Sequence, residues 1–124
     1  MTTGLNGRIE EALARDQVID ITTTGRKTGR NRRIEIWFHN VEGRIFISGL
    51  PGRRSWYANL KANSKFVFHL KQSVRADLPA QARAVTDVKE RREVLSKLLE
   101  NTGSAKDFEA WVEGSPLVEV TFDS

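Results

Sequence analysis

Five cations stand within eight residues, at Arg26, Lys27, Arg30, Arg32 and Arg33, around a turn bounded by Gly25 and Gly29. Guanidinium and ammonium groups at this density suit phosphate or carboxylate oxygens through charge-assisted hydrogen bonds. The N–H groups of such a turn can form a nest for the same anion. The plain alternative is a solvated hairpin tip that carries charge for solubility. Asp20 stands where a P-loop needs its first glycine and Arg26 intrudes before Lys27, so that type of nucleotide hydrolysis is excluded.

A second constellation is Arg53-Arg54-Ser55-Trp56-Tyr57-Ala58-Asn59-Leu60, in which two cations lead into an expected helix N-terminus, itself a source of free N–H donors and partial positive charge. Trp56 and Leu60, at i and i+4, equally suit a helix anchored on a core. Trp37 alternates onto a face with Arg33, Glu35 and His39, where a large aromatic can stack on a flat ligand or enter a subunit interface.

Conventional catalytic groups are scarce. Cysteine is absent, which removes thiolates and disulfides, and no serine sits in a nucleophile-elbow context. His39 and His69 are 30 positions apart without metal-ligand spacing, and read as strand-face or satisfied buried histidines. An enzyme with this inventory leaves the chemistry to a bound cofactor.

The elements that must position these residues follow from periodicity. Leu5, Ile9, Ala12 and Leu13 mark a short amphipathic helix opening near Asn6, expected outside as a lid or brace. The β-branched run Val18–Thr24 is a strand, and residues 25–30 are its turn. Ile34, Ile36 and Phe38 alternate with Arg33, Glu35, Trp37 and His39; a hairpin turn at 40–43 then leads into an apolar strand, Arg44–Ser48. Residues 49–54 break the sheet, and Ser55 is the expected N-cap of a helix ending at Asn63. A strand over 65–71, a connection over 73–79 and a strand over 80–86 follow. Asp87 with Glu90 resembles a capping box for a helix bearing Val88, Leu95, Leu98 and Leu99, and Phe108, Trp111 and Val112 mark another helix before the last strand, Leu117–Phe122.

Six strands with helices inserted before the fourth and sixth predict a mainly β, α+β protein: a six-stranded antiparallel barrel with peripheral helices. At 124 residues one domain is expected, with a helix over 1–17 and the barrel over 18–122. No apolar run is long enough to span a membrane and residues 1–6 lack a signal pattern, so stable membrane insertion is not expected and the cytoplasm is. Residues 1–75 carry 14 Lys+Arg against 6 Asp+Glu, while 76–124 carry 6 against 10, which points the first part of the chain at an anionic partner.

Two motifs in this order resemble the deazaflavin-dependent nitroreductase family of split β-barrel flavin/deazaflavin oxidoreductases: Ile21-Thr22-Thr23-Thr24-Gly25-Arg26-Lys27-Thr28-Gly29, then Ser55-Trp56-Tyr57-Ala58-Asn59-Leu60-Lys61-Ala62-Asn63. The resemblance covers nearly the whole chain. It implies a split barrel, FMN-binding-protein-like and often homodimeric. The implied cofactor is F420, an 8-hydroxy-5-deazaflavin with a phosphate and glutamate tail, whose reduced form passes a hydride to an electron-poor acceptor. It further implies that Arg26, Lys27, Thr28 and Gly29 hold the tail, that Ser48, Gly49, Arg53, Arg54, Ser55, Trp56 and Asn59 line the cofactor groove, and that Trp37 and Phe108 border the acceptor. The acceptor is then a quinone, an enone or a nitro compound. FMN in the same barrel is the alternative cofactor. A basic barrel stacking single-stranded nucleic acid on Trp37, Phe68 or Tyr57 is disfavoured, because the cations gather at two turns instead of tracking a strand face.

Overall fold

The computed structural model describes residues 7–100 and 107–123. Leu5 and Asn6, expected at the start of the first helix, lie outside the described residues, as does the stretch 101–106. In chain order the elements are α1 (Gly7–Arg15), β1 (Val18–Thr24), β2 (Asn31–Val41), β3 (Arg44–Ser48), α2 (Ser55–Ala62), β4 (Lys65–Leu70), β5 (Ala76–Ala84), α3 (Val88–Glu100), α4 (Phe108–Gly114) and β6 (Leu117–Phe122).

Alternation sends Ile19, Ile21 and Thr23 of β1 inward and leaves Asp20 and Thr22 on the outer face. The strands close in the order β1-β2-β3-β6-β5-β4, every pair antiparallel, with β4 returning to β1 through Ile21 opposite Phe68. Closure removes sheet edges. Inside, Phe68 meets Phe38 and Phe122 edge-on at ring separations of 5.3 and 5.1 Å. Phe68 is fully buried, so it cannot serve as a stacking platform. The first helix is more than an outer brace: Ala12 and Leu13 of α1 belong to this interior core.

A second core lies on the outer face of the barrel. Phe46, Val85 and Leu117 are covered there by Val94, Leu95 and Leu98 of α3 and Val112 of α4. Val88, expected on the apolar side of α3, is exposed, and buried Arg91 and Val94 take that face instead. Asp87 does cap α3, its carboxylate accepting from the Glu90 N–H at 2.9 Å. The Glu90 carboxylate does not complete a capping box; it accepts from Arg83 of β5 at 2.6 and 3.1 Å.

The expected strand over 80–86 instead begins at Ala76 and runs through Pro79. In an antiparallel sheet a residue's nitrogen and carbonyl point to the same neighbour. The Pro79 carbonyl accepts from the Asp123 N–H, just past the end of β6, at 3.0 Å. The donorless nitrogen therefore faces the end of β6, and no bond to β4 is lost.

Arg83 and Arg44 share Glu119 of β6, at 2.7 and 2.9 Å, so four side chains tie β3, β5, β6 and α3 together. The Arg44 guanidinium holds the Glu119 carboxyl below its usual range, and Arg83 does the same for Glu90. The unfolded chain thus takes up these protons more readily than the native one. The network's contribution is complete above the ordinary glutamate value of 4.5 and is lost as pH falls through the lower native values. Urea midpoints measured from neutral pH into acid should begin to fall near that point, with a shallower fall in Glu119→Gln. An identical acid limb in the variant would assign the loss elsewhere.

Candidate functional site

Because β1 ends at Thr24 and β2 begins at Asn31, the basic turn is the tip of a hairpin. Gly29 adopts φ +71°, a conformation that favours glycine. A Cβ on Gly25 would lie 3.0 Å from the Thr28 hydroxyl and 3.3 Å from the Arg30 carbonyl, so the tip folds tightly on itself. The Gly25 N–H donates to the Arg30 carbonyl, the Gly29 N–H to the Gly25 carbonyl, and the Arg30 N–H to the Thr28 hydroxyl. The Arg26 N–H donates to Asn59 Oδ1 at 3.1 Å. These bonds consume the N–H groups of Gly25, Arg26, Gly29 and Arg30, so the expected backbone nest is largely spent. Side chains must meet an anion here.

Asn59 of α2 is only 6% exposed, and its Nδ2 approaches the Thr23 hydroxyl at 3.4 Å. Its carboxamide joins the turn to α2. Ser55 is the first helical residue and not the N-cap; Arg54 occupies the cap in extended conformation, without a side-chain capping bond. No acidic residue lies in the first turn, so the positive end of α2 keeps its N–H donors.

The turn and this helix end enclose a groove of about 460 Å³, lined by Arg26, Lys27, Thr28, Arg30 and Arg32 on one side and Ser55 and Asn59 on the other. Among the described residues, Arg26, Lys27, Arg30 and Arg32 form no ion pair with a carboxylate. Other cations do: Arg92 meets Glu109 at 2.6 Å and Lys97 meets Glu42 at 2.9 Å. Arg33, counted with the cluster from sequence, turns away to Asp20 at 3.0 Å.

A separate pocket of about 260 Å³ lies where the outer face of the barrel meets α3 and α4. Trp37 and His39 of β2, Ser48, Gly49 and Leu50, Leu98 and Leu99 of α3, and Trp111 of α4 form its walls. Trp37 is 54% exposed, as its alternation predicts. Burial pushes the His39 imidazole below its ordinary value, so the ring is neutral at neutral pH.

The sequence candidates therefore divide. Arg26, Lys27, Thr28, Ser55 and Asn59 share the polar groove; Trp37, Ser48 and Gly49 share the apolar pocket. Ser48 is buried and donates its hydroxyl to the Pro116 carbonyl at 2.7 Å. Trp56 is in the interior core with Leu60, and Phe108 packs against the outer core. Trp111, three positions along the same helical stripe, takes the wall expected of Phe108. Arg54 spends its guanidinium on the Arg53 and Leu50 carbonyls at 2.9 and 3.0 Å, so it shapes the loop before α2. Arg53 lines neither cavity. His69 is satisfied between the Thr22 hydroxyl at 2.7 Å and Asp77 at 2.6 Å. No cluster of three metal-ligating side chains occurs among the described residues, and no helix among them is long and apolar enough to cross a membrane.

A family model described as F420H(2)-dependent quinone reductase matches residues 1–122. Among solved structures, an F420 reductase superposes with a TM-score of 0.72 at 17% identity, covering 97% of this chain and 96% of that one. An F420-H2 dependent reductase, FDR-A, superposes at 0.59 with 21% identity, covering 87% and 95%. The heme storage protein HutZ from Vibrio cholerae superposes at 0.73 with 16% identity, covering 100% and 92%. The barrel thus hosts different ligands, and structural likeness at these identities speaks for the fold alone.

Asn59→Ala should leave the Arg26 N–H without its partner and lower stability by ~1–3 kcal/mol. The check is the urea midpoint together with faster hydrogen exchange at the Arg26 amide. Unchanged exchange there would mean that another contact holds the turn.

Proposed function

The chain belongs to the F420H(2)-dependent quinone reductase family, and from that premise we propose how its own residues divide the work of an F420-dependent oxidoreductase. The single observation that carries the reading is the set of four cations, Arg26, Lys27, Arg30 and Arg32, gathered without carboxylate partners among the described residues around one groove beside the positive end of α2. A ligand tail bearing a phosphate and several glutamates matches this donor set in sign and multiplicity.

In this reading Arg26, Lys27, Arg30 and Arg32 neutralise the tail, Thr28 and Ser55 add hydrogen bonds, and Gly29 keeps the turn in shape. Arg54 holds the loop that carries Gly49 toward the second pocket. When bound, reduced F420 supplies a hydride. The apolar walls Trp37, Leu98, Leu99 and Trp111 take a flat, electron-poor acceptor and exclude water from it. Neutral His39 offers that acceptor a hydrogen bond at a developing oxyanion without adding a competing charge. A quinone ring fits these requirements best; an enone or a nitroarene presents the same flat shape and polar edge.

Lys27→Ala should weaken F420 binding by ~1–3 kcal/mol while the fold stays intact, the range for one charge-assisted contact. Titration followed by tryptophan fluorescence measures this, with FMN in parallel. F420 affinity should also fall steeply with added salt, and more steeply than FMN affinity, since FMN carries a single phosphate. Wild-type affinity in Lys27→Ala would remove the tail clamp from the account.

A further inference from the structure

Arg91 is a charged residue in the first turn of α3, yet it is only 6% exposed and meets no carboxylate among the described residues. Its Nε donates to the Val112 carbonyl at 2.7 Å and its Nη1 to the Val85 carbonyl at 2.8 Å. Its Nη2 reaches the carbonyls of Trp111 and Ser115 at 3.1 and 2.7 Å and the Ser115 hydroxyl at 3.1 Å.

A buried guanidinium is costly unless its donors are met, and here carbonyl dipoles meet it in place of an anion. The carbonyls of Trp111 and Val112 belong to the last turn of α4, where the helix presents its negative end. The Ser115 N–H and hydroxyl also donate to the Trp111 carbonyl, at 3.0 and 2.6 Å. The end of α4 is thus suspended from Arg91 of α3 through the carbonyls of Trp111, Val112 and Ser115, and the backbone of Trp111 is one of these attachment points.

The apolar pocket lies where these two helices meet the outer face of the barrel. Leu98 and Leu99 come from the helix that bears Arg91, and Trp111 comes from the helix that Arg91 holds. We propose that Arg91 is a positioning residue that sets the width of the acceptor pocket by fixing Trp111 against α3, and so governs which acceptors the enzyme accepts. The inference rests on the assignment of that pocket to the acceptor. Arg92, the next residue, pairs with Glu109 at the other end of α4 and limits its swing, but it is exposed and adds little.

A double-mutant cycle separates positioning from general support. Arg91→Lys keeps the charge but cannot span the same carbonyls. Menadione is the probe, its binding read by quenching of the remaining tryptophans and its KM read with reduced F420 against that of the smaller 1,4-benzoquinone. Arg91→Lys should raise Kd and KM for menadione about tenfold, change benzoquinone less, and leave F420 affinity within about twofold. In a Trp111→Leu background the same substitution should add less than about twofold, the sign of residues acting as a unit. If Arg91→Lys misfolds, Ser115→Ala, which removes only the hydroxyl shared by Arg91 and Trp111, enters the cycle in its place. A shift in Trp111→Leu with none in Arg91→Lys or Ser115→Ala would overturn the role of Arg91 alone. Full additivity of the two changes would overturn it as well. No menadione shift in Trp111→Leu would overturn the pocket assignment itself, and this inference with it.

Discussion

One hydrogen bond governs the geometry of the polar groove: the carboxamide of Asn59 accepting the Arg26 N–H. The β1–β2 tip has few apolar contacts of its own, and its cations repel one another. Left to local forces it would spread its charges into water. Tying its backbone to α2 brings four cations and a helix N-terminus to the same volume. The tie works because Asn59 is buried and packed beside Leu60 and Trp56, which root α2 in the barrel interior. Packing inside the barrel thus fixes electrostatics outside it.

The rest of the molecule treats charge differently. Arg33, Lys71 and Asp20 form one linked set across β1, β2 and the end of β4, and Arg44, Arg83, Glu90 and Glu119 form another across β3, β5, β6 and α3. These sets satisfy the outer faces of strands whose inner faces are apolar. The gathering of four cations without a carboxylate partner among the described residues around one groove is therefore a local property of the fold. A net charge of +4 conveys little of this.

Strands marked by a β-branched run, a continuous apolar run or alternation bounded by a proline were legible in the sequence: β1, β3 and β6 have their expected bounds, and the placement of the helices before β4 and β6 was enough to indicate an antiparallel barrel. Misreadings arose where a rule about one residue met a neighbour that altered it. Pro79 argues against a strand interior until its nitrogen is seen to face the end of β6. Ser55 is a good cap by type, but the extended residue here is Arg54. Of the site, the basic turn, Trp37 and the helix after the arginines were readable because their chemistry is local. Trp111 and Arg91 were not. An aromatic on a short amphipathic stripe cannot be assigned to wall or core from spacing, and an arginine in a helix reads as solvated until a ring of carbonyls from other elements surrounds it.

The uncompensated tip also bears on how long each molecule survives. A polyanion seated there would relieve a repulsion that the bare fold must carry, and binding of this kind adds to folding free energy in proportion to the logarithm of ligand supply. The coenzyme would then act as a conformational chaperone as well as a reagent, and a cell's stock of it would be registered in the turnover of the polypeptide.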